Sequence, residues 1–162
     1  MTRMPSRTAF ATIALLLVHH AAFAGDAPSG AAIFAEKCAP CHQPDGTGAP
    51  GVAPPLVGTI KDYLKSGTGR QYLSQLLVTG MMGTITSQGV KYQGVMPPFG
   101  SLSDDVLSSV LHYVLTDFNQ ATPSDQTLIP SAKDIAHARL AGGTAASARQ
   151  LRIKAKVAAH EK

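Results

Sequence analysis

The hydrophobic side chains of this chain recur mainly three and four residues apart, which is the spacing of an amphipathic helix. The clearest stripe follows Ser103 and consists of Val106, Leu107, Val110, Leu111, Val114, Leu115 and Phe118. Ser103 is a favourable N-cap, and the two aspartates after it suit the positive end of a helix dipole. A shorter stripe predicts a second helix over residues 70–79, which ends at Gly80.

The segments around these helices predict a first helix, loops and at most one small sheet. Residues 29–41 are compatible with a helix, for which Asp26, Pro28 and Ser29 are start signals. Residues 43–58 are rich in glycine and proline, and the consecutive prolines of "GVMPPFG" exclude a regular element there. The stretch between Gly83 and that loop alternates small, polar and β-branched side chains, which predicts a short hairpin. We therefore predict an all-α fold class.

The first 24 residues have the layout of a secretory signal peptide. Arg3 and Arg7 make a basic start, residues 9–18 are apolar, and "AFA" at residues 22–24 offers a cleavage site. A membrane anchor is the alternative, but the apolar run stops at His19 and is shorter than the roughly 20 residues that span a bilayer. We therefore expect residues 1–24 to be removed on export to the periplasm, with no transmembrane segment in the mature chain.

Charge divides the mature chain into a mildly acidic body and a basic tail. Residues 25–130 contain five Lys or Arg and eight Asp or Glu, whereas residues 131–162 contain seven and two. Because the positive charge collects at one end of an exported chain, no nucleic-acid partner is expected. We predict one domain over residues 25–121, followed by a linker and basic C-terminal extension over residues 122–162.

The extension predicts two short helices. The first would begin at a capping box formed by Ser131 and Asp134, and the second would follow residue 145. The second has few large apolar side chains, so it is not expected to be stable alone. Two interpretations remain open: a solvated extension, or a segment that orders on a partner protein.

The only two cysteines lie in "CAPCH", residues 38–42, for which four interpretations compete. A thioredoxin-like dithiol follows a strand, and none is predicted here. A structural zinc site needs about four ligands, and the other mature histidines are distant in sequence. A plain disulfide leaves His42 without a role. In haem attachment, Cys38, Cys41 and His42 share one helix face, so two thiols can bond the haem edge while the imidazole reaches the iron.

A histidine ligand leaves the sixth iron position to another side chain, and methionine is its usual partner where a high potential is wanted. Met96 is the best candidate, because the prolines after it restrict the loop before the last helix of the body. Met81 and Met82 are expected only to pack near the ring, and His112 to face solvent. An iron with both axial positions filled is poorly placed to bind substrate, so we expect no enzyme, such as a peroxidase.

In combination these motifs resemble the class I c-type cytochromes over residues 29–118. "GAAIFAEKCAPCHQPDGTG" resembles the first helix and attachment site of that family, "APPLVG" the segment after it, and "YQGVMPPFGSLSDDVLSSVLHYV" the methionine loop and last helix. The resemblance implies a cytochrome c fold with about three to four core helices around one haem c, covalent through Cys38 and Cys41. It also implies that the carbonyl of Pro54 holds His42, and that His42 and Met96 bind the iron.

The resemblance further implies that two helices cross, but it does not identify the residues that hold the haem propionates. Gly30 and Phe34 of the first helix should meet Tyr113 of the last helix. Some relatives hold a haem propionate with a tryptophan, which this chain lacks. Tyr92, Arg70 or backbone groups are the candidate substitutes.

The function implied is one-electron transfer in a periplasmic respiratory chain. The partners would be a donor dehydrogenase and a terminal oxidase or reductase, which would meet an exposed haem edge in small, transient encounters. The alternative is a haem c subunit of a periplasmic dehydrogenase or oxidoreductase complex, docked through the C-terminal tail.

Overall fold

The computed structural model describes residues 29–160, apart from the side chain of residue 160. The expected signal peptide and the start signals Asp26 and Pro28 lie outside these residues. The described part of the chain contains these α-helices: α1 (Gly30–Ile33), α2 (Ala39–His42), α3 (Gly67–Thr79), α4 (Asp104–Asp117), α5 (Ala132–Ala141) and α6 (Ala145–His160).

Shorter elements connect the helices. A π-helical stretch, Phe34–Cys38, joins α1 to α2, and 3₁₀ helices cover Lys61–Lys65 and Pro123–Leu128. Two antiparallel strands, β1 (Ile85–Ser87) and β2 (Val90–Tyr92), form a small hairpin. The all-α prediction is therefore confirmed, with the hairpin where the sequence predicts it.

Serine side chains cap four of the helices. Each accepts a hydrogen bond from a backbone N–H in the first turn; these serines are Ser29, Ser66, Ser103 and Ser131. The capping box at Ser131 and Asp134 is complete, because the Asp134 carboxylate also accepts from the Ser131 backbone N–H at 2.8 Å. The predicted starts of α4 and α5 are therefore confirmed.

The first and last helices of the body cross with their backbones in contact. A Cβ atom at Gly30 would overlap the backbone carbonyl of Ser109, so only glycine allows this approach. The rings of Phe34 and Tyr113 lie 5.5 Å apart, and Phe118 packs edge-on against Phe34 at 5.1 Å. The predicted crossing is confirmed, and Phe118 adds a third ring to it.

The hairpin turns tightly at two residues with positive φ. Gln88 has φ 49° and Gly89 has φ 79°, which suits a two-residue turn whose twist matches the strands. Ile85 pairs with Tyr92, and both side chains are buried. The hairpin therefore contributes a buried pair to the body.

The C-terminal extension packs on the body over its whole described length. Helix α5 contacts α3 and α4, while α6 contacts α3 and the 3₁₀ helix Lys61–Lys65. Ile135, Ala148 and Ala155 are completely buried. The described residues of the extension thus belong to the folded core rather than to a solvated tail, because small alanine side chains let α6 lie close against α3.

Within residues 29–160 every helix is too short or too polar to cross a membrane.

Candidate functional site

A cavity of about 390 Å³ opens between the helices of the body. Its wall comes from the π-helical stretch, α2, the loop of residues 52–60, α3, α4, the methionine loop and α6, and it is mostly apolar. Buried side chains that form it include Leu73, Leu77, Val110, Leu111 and Val114. Such a largely apolar space, open at one side, suits a bulky flat ligand most of whose surface has to be kept from water.

The "CAPCH" motif lies at one wall of this cavity. Cys38 ends the π-helical stretch, in which the Ala39 N–H bonds to the Phe34 carbonyl five residues back. The turn Ala39–His42 follows, and Cys38, Cys41 and His42 all face the cavity. Nothing in the residue pattern signals the π turn, although such turns are frequent at functional sites.

The Cys38 thiol does not have the environment of a reactive redox thiol. Burial, reinforced by the neighbouring Cys41, raises the pKa of the Cys38 thiol to about 11. Catalytic dithiols instead need a lowered pKa to supply the thiolate. The described residues also contain no cluster of three or more His, Cys, Asp or Glu side chains that could hold a metal ion.

His42 is oriented by a single main-chain hydrogen bond. Its Nδ1 lies 3.0 Å from the Pro54 carbonyl oxygen, which can only accept, so Nδ1 carries the proton. Burial lowers the pKa of His42, while the hydrogen bond to Pro54 opposes that shift. The imidazole is therefore neutral near pH 7, and its Nε2 lone pair is free for a metal.

Met96 reaches the same cavity from the loop before α4. Its backbone pairs with that of Met81 through two hydrogen bonds, 3.0 Å and 2.9 Å long. Gly80 has φ 67°, and a Cβ there would overlap the Met96 carbonyl. The end of α3 thus fixes the loop that carries Met96. Met81 is buried in the cavity wall, whereas Met82 is half exposed and does not line it.

Comparisons with known proteins identify the family of this chain. Residues 25–114 match the protein-family model described as "Cytochrome C oxidase, cbb3-type, subunit III". "Cytochrome c-552" from Thermus thermophilus is 42% identical over 92 residues, which cover 57% of this chain and 70% of that protein. A second "Cytochrome c-552", from a defined strain of the same species, has the same identity and span, but the match covers only 62% of its length.

The chain belongs to the class I c-type cytochromes. Its cofactor is covalently bound haem c with its iron, and its chemistry is haem-based electron transfer. The residues of the cavity fit that group: two thiols at the attachment spacing, a neutral imidazole with a free nitrogen, a thioether and an apolar wall.

The extension of this cytochrome contributes two cations that the sequence reasoning missed. Arg152 and Lys156 of α6 line the haem cavity, and both donate to the Thr86 carbonyl, at 2.9 Å and 3.2 Å. Their spacing of four residues places them on the α6 face of Ala148 and Ala155, the face that packs on the body. The sequence feature that could have identified them is a pair of basic residues, four positions apart, on the same helix face as the alanines that pack on the body.

The remaining predicted residues divide between the cavity and the surface. Tyr92, a candidate propionate partner, lines the cavity, but Arg70 does not, so the structure corrects that suggestion. The reason is that Arg70 lies in the first turn of α3, near Asp134. His112 is exposed and forms a hydrogen bond with Gln126 at 2.7 Å. The prediction that His112 faces solvent is therefore confirmed.

Proposed function

We propose that this cytochrome is a periplasmic one-electron carrier whose haem iron is bound by His42 and Met96. The observation that carries the proposal is the hydrogen bond from His42 Nδ1 to the Pro54 carbonyl. It leaves Nε2 as the only ring nitrogen available to the iron, and both side chains face one cavity.

The bound haem supplies reversible one-electron chemistry between Fe(II) and Fe(III). The protein keeps the two states similar in structure, because Pro54 holds the ring of His42 and the Met81 backbone holds the backbone of Met96. A thioether ligand and an apolar wall both favour the ferrous state. We therefore expect a high potential for a haem protein and no open position for a substrate.

The exchange surface of the carrier would be the cavity mouth. Val52 and Val95 line the cavity yet are 55% and 69% exposed, and Cys41 is exposed beside them in the wall. Small apolar surfaces of this kind suit brief encounters with a donor dehydrogenase and a terminal oxidase or reductase. The signal-peptide pattern of residues 1–24 supports placing these encounters in the periplasm.

The test of ligation is the absorption spectrum of the oxidised protein together with a redox titration. A ferric haem bound to a thioether sulfur shows a weak far-red band, which Met96→Ala should abolish while the potential falls. The matched control is Met82→Ala, since Met82 is half exposed and lies outside the cavity wall. A band that survives in Met96→Ala would remove Met96 from the site.

A second candidate function is a haem subunit docked in an oxidoreductase complex. The matched family is described as an oxidase subunit, and Ile153 and Val157 lie on the outer side of α6 with 47% and 54% exposure. Deleting the extension cannot test this, because Ile135 is buried in the core. The double variant Ile153→Gln/Val157→Gln is sharper: loss of stable co-elution with native partners supports the subunit, and unchanged electron transfer supports the mobile carrier.

A further inference from the structure

Two positive side chains of α6 reach the haem cavity. Arg152 exposes only 8% of its surface and donates to the Thr86 carbonyl at 2.9 Å. Lys156 donates to the same carbonyl at 3.2 Å and also lines the cavity. Both contacts are to neutral oxygens, which do not neutralise a charge.

Neither cation forms a salt bridge with a carboxylate among residues 29–160. The other charged side chains of the cavity wall are already paired: Lys37 with Glu36 at 2.7 Å, and Asp62 with Lys65 at 2.6 Å. Burial of a positive charge is costly unless an anion accompanies it. Burial lowers the pKa of Lys156, and the adjacent Arg152 lowers it further.

The cofactor itself carries the missing negative charge. A haem has two propionate carboxylates on the edge opposite its vinyl groups, so their partners must come from a different element than "CAPCH". Helix α6 is such an element, and it presents two cations to the cavity.

We propose that Arg152 and Lys156 bind the haem propionates, so that α6 completes the cofactor site. The proposal rests on the haem c of the family and is independent of Met96 as a ligand and of the partner proteins. Guanidinium suits a planar carboxylate through paired N–H groups, and the lysine adds a point charge. The two side chains would take the place of the tryptophan that the chain lacks.

The test compares Arg152→Gln and Lys156→Gln with the matched control Lys154→Gln, an exposed residue of the same helix that is absent from the cavity wall. A cation at the propionates disfavours the extra positive charge of ferric haem, so its removal should lower the midpoint potential more than Lys154→Gln does. The propionate bands in redox-induced infrared difference spectra should shift in both cavity variants and stay unchanged in the control.

Arg152→Lys keeps the charge and should recover part of the potential and of the band positions, which a merely structural role would not explain. If Arg152→Gln does not fold, Lys156→Gln and Arg152→Lys still test whether these side chains bind the propionates. Potentials and propionate bands in these variants that equal those of Lys154→Gln would overturn the proposal. The far-red band of the same samples tests iron ligation by Met96 separately. Failure of the propionate proposal therefore does not imply failure of the Met96 assignment, and the reverse also holds.

Discussion

His42 shows how much of the site depends on one main-chain atom. The Pro54 carbonyl accepts from Nδ1 at 3.0 Å, and burial lowers the pKa of the ring so that it stays neutral. The residues that make this arrangement could be predicted from "CAPCH" and "APPLVG". The burial that lowers the pKa could not, because it depends on segments distant in the chain that come together around one cavity.

Gly30 is the residue on which the crossing of α1 and α4 depends. Gly30→Ala would place a methyl group on the Ser109 carbonyl, and we expect a loss of about 1–3 kcal/mol in the free energy of unfolding. Gly67→Ala at the start of α3 is the control, since a Cβ there meets nothing within 4 Å. Urea titration of both variants measures the difference. If Gly30→Ala and Gly67→Ala are equally stable, α1 and α4 can move apart without a loss of stability, and this account of Gly30 is wrong.

Asp125 should make the stability depend on pH under acidic conditions. Hydrogen bonds from Thr122 and an ion pair with Lys61 lower the pKa of its carboxyl from 3.8 to about 2. The unfolded chain therefore binds this proton first, so the stabilisation is complete above pH 3.8 and is lost as pH falls through about 2.

Asp125→Asn removes this titration. The variant should be less stable than the parent at pH 6, and the gap should close towards pH 2, as followed by denaturant titration along the pH series. A gap that stays constant down to pH 2 would contradict this account of Asp125.

At the scale of elements, α5 supports the loop that carries Met96. Arg139 of α5 donates to Asp104 at 2.8 Å, to the Leu102 carbonyl at 2.9 Å and to the Gly100 carbonyl. These bonds tie the extension to the junction between the methionine loop and α4. The sequence predicts α5 itself. It does not predict the contacts of α5 with residues that precede it in the chain by 35 to 39 positions.

Arg139→Gln should loosen this junction. We expect a loss of about 1–2 kcal/mol, since several bonds to a half-buried charged group disappear, and faster amide exchange of residues 99–102. Lys133→Gln is the control, because Lys133 is an exposed residue on the same helix. Unchanged exchange in Arg139→Gln would mean that the loop is held from α3 alone.

Element prediction succeeded where the signals are local. The caps at Ser29, Ser103 and Ser131, the apolar stripe of α4 and the hairpin of residues 85–92 are all present, whereas the cap at Ser66, which starts α3 three residues before the predicted helix, was not predicted. The "linker" of residues 122–130 contains a 3₁₀ helix with its own capping box instead, because Thr122 and Asp125 bond each other's backbone. The π turn before Cys38 has no comparable local signal.

At the scale of the whole molecule, body and extension form one core. Ile135 of α5 is completely buried in the cluster that also contains Leu73, Leu107 and Leu115. A single buried layer of this kind couples the extension to the rest of the fold, and we expect both to unfold together.

Ile135→Ala tests this coupling. Removal of buried methylenes should cost about 2–5 kcal/mol, and the fall should appear in one cooperative transition followed by helix content and by haem absorption. Leu140→Ala is the matched control, because Leu140 is 85% exposed and should change stability by less than about 0.5 kcal/mol. Two separate transitions in the parent protein would show that the extension folds by itself.

The sequence by itself determined the residue types and local turns of the site: the thiols and imidazole of "CAPCH", the methionine loop and the capped helices around them. These are short-range features, set by spacing along one helix and by proline, glycine and serine at fixed positions. Only the tertiary structure decided that the basic extension lies against the cavity with Arg152 and Lys156 in its wall. The reason is that burial of a charged side chain depends on packing between elements far apart in the chain, here α6 against α3, which no local pattern specifies.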